Sequence, residues 1–142
     1  MRDRNEVKTL RKTLNKVQNE LMHYEAAQLW AETPEVDSMR CIAMHWADRT
    51  FENVRAIASQ LRERPRTLLL LAATEDKGVR LVCARSDDLP EINAAHLLRA
   101  AAGALGGRGG GSPTIAQGGA QPASHSVIME TLKQVMGQVR QS

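Results

Sequence analysis

Aromatic side chains are nearly missing from this sequence. They make up 3% of 142 residues, as two Trp, one Tyr and one Phe, so a core must be assembled from Leu, Ile, Val, Met and Ala. Cysteine is scarce too. Cys41 and Cys83 both sit in apolar, strand-like runs, where a thiol behaves as a small buried hydrophobe. Two such residues argue for a reduced, cytoplasmic chain and against a disulfide scaffold. No apolar stretch reaches the ~18–20 residues that a transmembrane helix needs, so no membrane partner is expected. The opening "MRDRNEVKTL" lacks the apolar region of a signal peptide; it starts inside a helical pattern and reads as a piece of a longer chain with a Met supplied. Catalytic groupings are also lacking. No serine has a base and an orienting partner, and the carboxylates show no paired spacing for acid–base work. The chain is therefore expected to be non-catalytic.

What remains is an ordinary composition, 42% hydrophobic and 25% charged, enough for one compact domain plus an appendage. The formal net charge of +3 permits an anionic partner without requiring one.

Val7, Leu10, Leu14, Val17, Leu21 and Tyr24 recur at alternating spacings of three and four, the seam of a coiled coil. A helix of this length is weakly stable alone, so the seam must meet a partner: a second copy, its own domain, or a region outside this chain. "ETPEVD" ends the helix at Pro34. Residues 1–34 are thus a helical stalk with a dimerisation role in prospect. From Met39 the period changes. "MRCIAMHW" predicts a strand. Asp48 then offers a cap to a helix with Phe51, Val54, Ile57, Ala58 and Leu61 on one face. "TLLLLAA" predicts a strand buried on both faces, and "TEDKG" predicts a turn using Gly78, into the strand "VRLVCARS". "DLPE" resembles a capping box, Asp88 to Glu91, before a helix through Ile92, Ala95, Leu98, Ala102 and Leu105. A last helix from about Ser124 carries Ile128, Leu132, Val135 and Val139. The expected fold is α+β: an N-terminal coiled-coil-like helix, then residues 35–142 as a small mixed sheet in β-α-β-β-α-α order with a Gly-rich loop over 106–119 before the last helix, the first step parallel and the hairpin antiparallel.

Eight of the ten glycines fall between Gly103 and Gly119. Such concentration indicates a local role. Glycine lets another backbone or a ligand come close, and successive amides can form a hollow for an anion, with the fixed charge of Arg108 beside them. A flexible linker has a similar composition, but Pro113 and Ile115 interrupt it and helices flank it on both sides. A nucleotide P-loop is excluded, because no Gly-Lys-Ser/Thr follows a strand here.

"LGGRGGGSPTIAQGG", with "INAAHLLRAAAGALGG" before it, resembles the signature of the DHH-associated domain found at the C-terminus of alanyl-tRNA synthetases and in long AlaX-type editing proteins. The resemblance covers nearly the whole chain and implies a tRNA-binding and dimerisation module. It implies that Gly109, Gly110, Gly111, Gln117, Gly118 and Gly119 bind RNA, with Arg108 at a phosphate and Ser112 within the same segment. The partner would be tRNA, specific for alanine, and the homodimer would form through Val7, Leu10, Leu14, Val17 and Leu21. Ligation or deacylation, with zinc or ATP, would belong to a catalytic domain outside the chain, so no cofactor is expected in this part. The related DHH phosphoesterases line a nucleotide site with a similar Gly-Gly-Gly. There a histidine follows the glycines; here Ser112 does, and no Asp-His-His triplet exists to hold metals. A purely structural oligomerisation domain is the other alternative.

Cys41 and His45 mimic the editing-site metal motif of that family. On a strand they lie ~13 Å apart, too far for one ion, and no metal is expected. His23, His96 and His125 share no spacing. The Arg62, Arg64, Arg66 cluster suits either phosphate contacts or a solvated helix end. The same choice holds for the stalk's Arg2, Arg4, Lys8, Arg11, Lys12 and Lys16.

Overall fold

The structure is a computed structural model that describes residues 4–76 and 78–140; Arg2 of the stalk and Lys77 of the "TEDKG" turn lie outside the described residues. Among the described residues nine elements follow one another: α1 (Arg4–Glu32), β1 (Arg40–Trp46), α2 (Phe51–Leu61), β2 (Thr67–Glu75), β3 (Gly78–Arg85), α3 (Ala94–Ala104), β4 (Arg108–Gly111), β5 (Ile115–Ala120) and α4 (His125–Arg140). The fold is α+β with a mixed sheet, as the pattern predicts.

The sheet runs in the order β1-β2-β3-β5-β4. β1 and β2 are parallel, with Arg40 opposite Thr67 and Trp46 opposite Ala73; every other pairing is antiparallel. β2 is apolar on both faces because both are covered. Leu69, Leu71 and Ala73 join Val54, Ile57 and Leu61 of α2 in one core, while Leu68, Leu70 and Ala72 join Leu98 of α3 and Ile128 and Leu132 of α4 in the other. Alternation along a strand feeds two layers at once. Burying these Leu and Ile side chains stabilises the fold by about 1.5–3 kcal/mol each.

Two helix starts differ from the sequence pattern. α2 is capped by Thr50, whose hydroxyl accepts from Asn53 N–H, and Asp48 lies outside it. The Asp88–Glu91 box does not form. The Asp88 carboxylate accepts instead from the backbone N–H of Arg66 and from Ser86 Oγ, and α3 begins later, capped by Asn93. Asp88 is engaged by the distant Arg66 and the nearby Ser86 rather than by a helix of its own. Arg66 itself has φ +51, and its guanidinium donates to Ser38 and Asp88 carbonyls, so this arginine ties down its turn.

The largest departure lies at residues 106–119. The segment read as a loop is mostly a two-stranded hairpin, β4 and β5, that extends the sheet past β3.

Candidate nucleic-acid interface

The hairpin is held in place by contacts that leave no room for side chains. A Cβ on Gly107 would lie 1.9 Å from Gly119 O; one on Gly109 would lie 2.5 Å from Leu98 Cδ1 and 2.6 Å from Gly118 Cα. Gly111 and Gly118 are as tightly enclosed, at 2.6 Å from Ala116 Cα and 2.7 Å from Arg108 O. The glycines let α3 press directly on the backbone of two strands. Gly110 and Gly119 are different: their nearest neighbours stand at 3.7 Å, so the fold would accept a methyl group at either.

Arg85 fixes the tip. It is buried, and its guanidinium donates to the carbonyls of Ile92, Pro113 and Ser86 at 2.6–3.1 Å, while its own N–H meets Thr114 O. Ser112 Oγ accepts from the N–H groups of Thr114 and Ile115, which turns it inward to the tip.

Ser112 N–H bonds to Ile115 O. With Gly110 opposite Gln117 and Arg108 opposite Gly119, the alternation of an antiparallel ladder turns the N–H and C=O groups of Gly109 and Gly111 to the free edge of the sheet. The two faces of the hairpin also differ. Ala116 lies in the core shared with α3, whereas Gln117 and Arg108 are exposed on the opposite, more open face, where α2 lies over β2 and β3.

On that open side a cleft of about 1010 Å³ is lined by Arg80, Gly106, Gly107, Arg108, Gly119 and Gln121, together with Ala47–Thr50 and Thr74–Asp76. Arg80, Gly119 and Arg108 form one row across β3, β5 and β4. The Arg80 guanidinium lies 4.6 Å from the centre of the Phe51 ring, and among the described residues no carboxylate pairs with Arg80 or Arg108. Of the expected site residues, Arg108 and Gly119 line this cleft together with Arg80, while Gly109, Gly110, Gly111, Ser112, Gln117 and Gly118 lie elsewhere on the hairpin. In the sequence Arg80 reads as an ordinary strand residue; its only signal is that it is the one charge within "GVRLVCA".

The stalk seam is the second surface. Val7, Leu10, Leu14, Val17, Leu21 and Tyr24 are exposed, from 38% at Val7 to 67% at Tyr24. The stalk packs on the body through a different stripe: Ala26 is buried, Leu29 and Trp30 pack beside it, and Trp30 Nε1 donates to Thr67 Oγ1. The seam does not meet its own domain within the described residues.

Cys41 and His45 both lie on β1, and no group of three metal-binding side chains occurs among the described residues. The fold does unite two histidines that lie 80 residues apart. His45 Nδ1 is 2.7 Å from His125 Nδ1, and its Nε2 is 2.6 Å from Thr74 Oγ1. Burial, and secondarily the nearby His125, lowers the His45 pKa below the ordinary 6.5. The Arg62–Arg66 cluster is partly spent internally: Arg62 faces Asp87 at 3.7 Å and Arg64 lies over Trp30.

Comparisons with known proteins agree with this architecture. The family model of the DHHA1 domain matches residues 39–138. The chain is 29% identical over 119 residues to the alanine–tRNA ligase of Solibacter usitatus, covering 82% of this chain and 14% of that protein. It is 30% identical over 122 residues to the alanine–tRNA ligase of Geobacillus thermodenitrificans, covering 84% of this chain and again 14% of the relative; the chain therefore spans a small part of the curated relatives it matches. The C-Ala domain from Aquifex aeolicus alanyl-tRNA synthetase has a similar fold (TM-score 0.63, 22% identity, 73% of this chain and 96% of that chain). So does RecJ from Thermus thermophilus (TM-score 0.65, 18% identity, all of this chain and 21% of that one). The chain belongs to the DHHA1 domain family.

Proposed function

We propose that this DHHA1 domain is a tRNA-binding and pairing module of an alanyl-tRNA synthetase or an alanyl-tRNA editing protein, holding tRNA for a catalytic domain outside the chain. The observation that carries the reading is the division among the glycines. Gly107, Gly109, Gly111 and Gly118 are demanded by packing; Gly110 and Gly119 are not. A glycine where the fold has room for more leaves space for something outside to approach. Beside it stand Arg108, Gln117 and the outward amides of Gly109 and Gly111, a set suited to phosphate and ribose oxygens. Relatives named alanine–tRNA ligases make tRNA the ligand of choice, with alanine-specific tRNA first to be tried.

The mechanism is positioning. Contacts to the RNA backbone raise the effective concentration of the acceptor end at a distant active site, and bond making stays with that site, as would any zinc or ATP. The exposed seam supports pairing of two stalks, and a cytoplasmic setting follows from the role in translation.

Filter binding of tRNA at rising salt tests the reading. Binding at low salt that weakens linearly in log–log form is expected; no affinity even at low salt would defeat it.

A further inference from the structure

We propose that Arg80 and Arg108 form a seat for one phosphodiester of the bound RNA, with Gly119 as its floor. The inference rests on the tRNA reading above and adds to it a residue of β3 and a defined ligand group. Directly opposed residues of neighbouring strands share a face, so the row Arg80–Gly119–Arg108 places two guanidinium stems side by side, about 9.5 Å apart at Cα across two strand spacings. Between them Gly119 offers backbone only, and the position of its missing Cβ lies 3.8 Å from Arg80 Cδ. The gap suits a group that takes hydrogen bonds from both sides, and guanidinium forks match phosphate oxygens.

Three features distinguish this pair from solvated surface charges. Phe51, itself buried, lies beneath the Arg80 guanidinium and holds its direction. Neither arginine is spent on a carboxylate among the described residues, whereas Arg49, which also lines the cleft, is paired with Glu25. The lining also includes Asp48, Glu75 and Asp76, of which Glu75 is engaged by Phe51 N–H. An anion is favoured beside the arginines, while Asp48 and Asp76 can accept from hydrogen-bond donors. A nucleotide unit has both kinds of group: a phosphate for the arginines and base amino or ribose hydroxyl groups for the carboxylates.

The test is a fluorescence-anisotropy titration of tRNA over a range of salt with the wild type, Arg80→Met, Arg108→Met and, as a control outside the cleft, Arg55→Met. The double variant Arg80→Met/Arg108→Met is expected to flatten the salt slope by about 0.7–0.9, the value for one lost phosphate contact, each single variant to flatten it by less, and Arg55→Met to leave it unchanged. Arg80→Lys, which keeps the charge, is expected to recover the slope. Gly119→Ala, which the fold has room for, is expected to weaken binding without changing the slope, so the proposal survives even if Arg80→Met folds poorly. Excess adenosine monophosphate is expected not to displace the tRNA. Tight tRNA binding with a wild-type slope in the double variant would overturn the seat and leave the tRNA reading standing; displacement by the mononucleotide would assign the cleft to a terminal phosphate and overturn it too. Absence of tRNA binding by the wild type would remove both.

Discussion

Leu98 of α3 reaches so close to Gly109 of β4 that a Cβ on Gly109 would stand 2.5 Å from its terminal methyl. The helix's leucine there rests directly on the backbone of the edge strand, which contributes no side chain of its own. The same methyl lies 2.9 Å from the Cβ position of Gly118 on β5, so one leucine pins both strands. This contact turns a glycine-rich segment into a surface of fixed shape, and it separates residues that hold the shape from residues free to use it.

Gly109→Ala is expected to destabilise the protein by about 1–3 kcal/mol, the usual cost of forcing a methyl into a packed site. Gly110→Ala and Gly119→Ala are expected to stay within about 1 kcal/mol of the wild type, since the added methyl meets nothing nearer than 3.7 Å and reduces the number of unfolded conformations. Urea unfolding of the three variants checks this contrast; equal losses would mean the hairpin packs otherwise.

Leu14→Asp and Leu21→Asp change side chains that are each 57% exposed and face away from the body. Thermal melting of the body should stay within about 0.5 kcal/mol of the wild type. Sedimentation should show the paired species lost. A monomeric wild type would assign the seam to a region outside this chain.

His45 gives the fold a pH dependence. Its pKa is lowered in the folded state by burial first and by His125 second, so the unfolded chain holds more protons as pH drops below the ordinary 6.5. The stability contributed by neutral His45 is complete above that value and is lost as pH falls toward the folded pKa. Melting temperatures between pH 7.5 and 5 should fall more steeply for the wild type than for His45→Asn. Parallel profiles would contradict the assignment.

The two thiols should respond differently to alkylation. Burial, with a smaller contribution from Cys41, pushes the Cys83 pKa up to about 12, which leaves little thiolate to react. Cys41 is half-buried on the outer strand β1. Native-state treatment with iodoacetamide, read by mass spectrometry, should modify Cys41 first and leave Cys83 intact until unfolding.

Much of this fold could be read from periodicity. The helix α1, the amphipathic α2 and α4 and the doubly buried β2 follow from the apolar pattern, although the stripe from Val7 to Tyr24 on α1 stays exposed. β4 and β5 could not be read that way. Glycine has little tendency toward strands; the extended state of Arg108–Gly111 comes from pairing with β5, which is itself laid on β3 far back in sequence, and from the packing of Leu98. The same reason hid Arg80 from the site and His125 from His45. Asp88 misled because its capping spacing was present while its carboxylate was taken by Arg66 and Ser86.

Amide hydrogen exchange of the hairpin, with and without saturating tRNA, bears most directly on whether these glycines meet RNA. The N–H groups of Gly109 and Gly111, which face the open edge, should exchange markedly more slowly in the complex, while amides inside β2 stay as they were. Full tRNA occupancy with unchanged exchange at Gly109 and Gly111 would contradict the hairpin as the RNA contact.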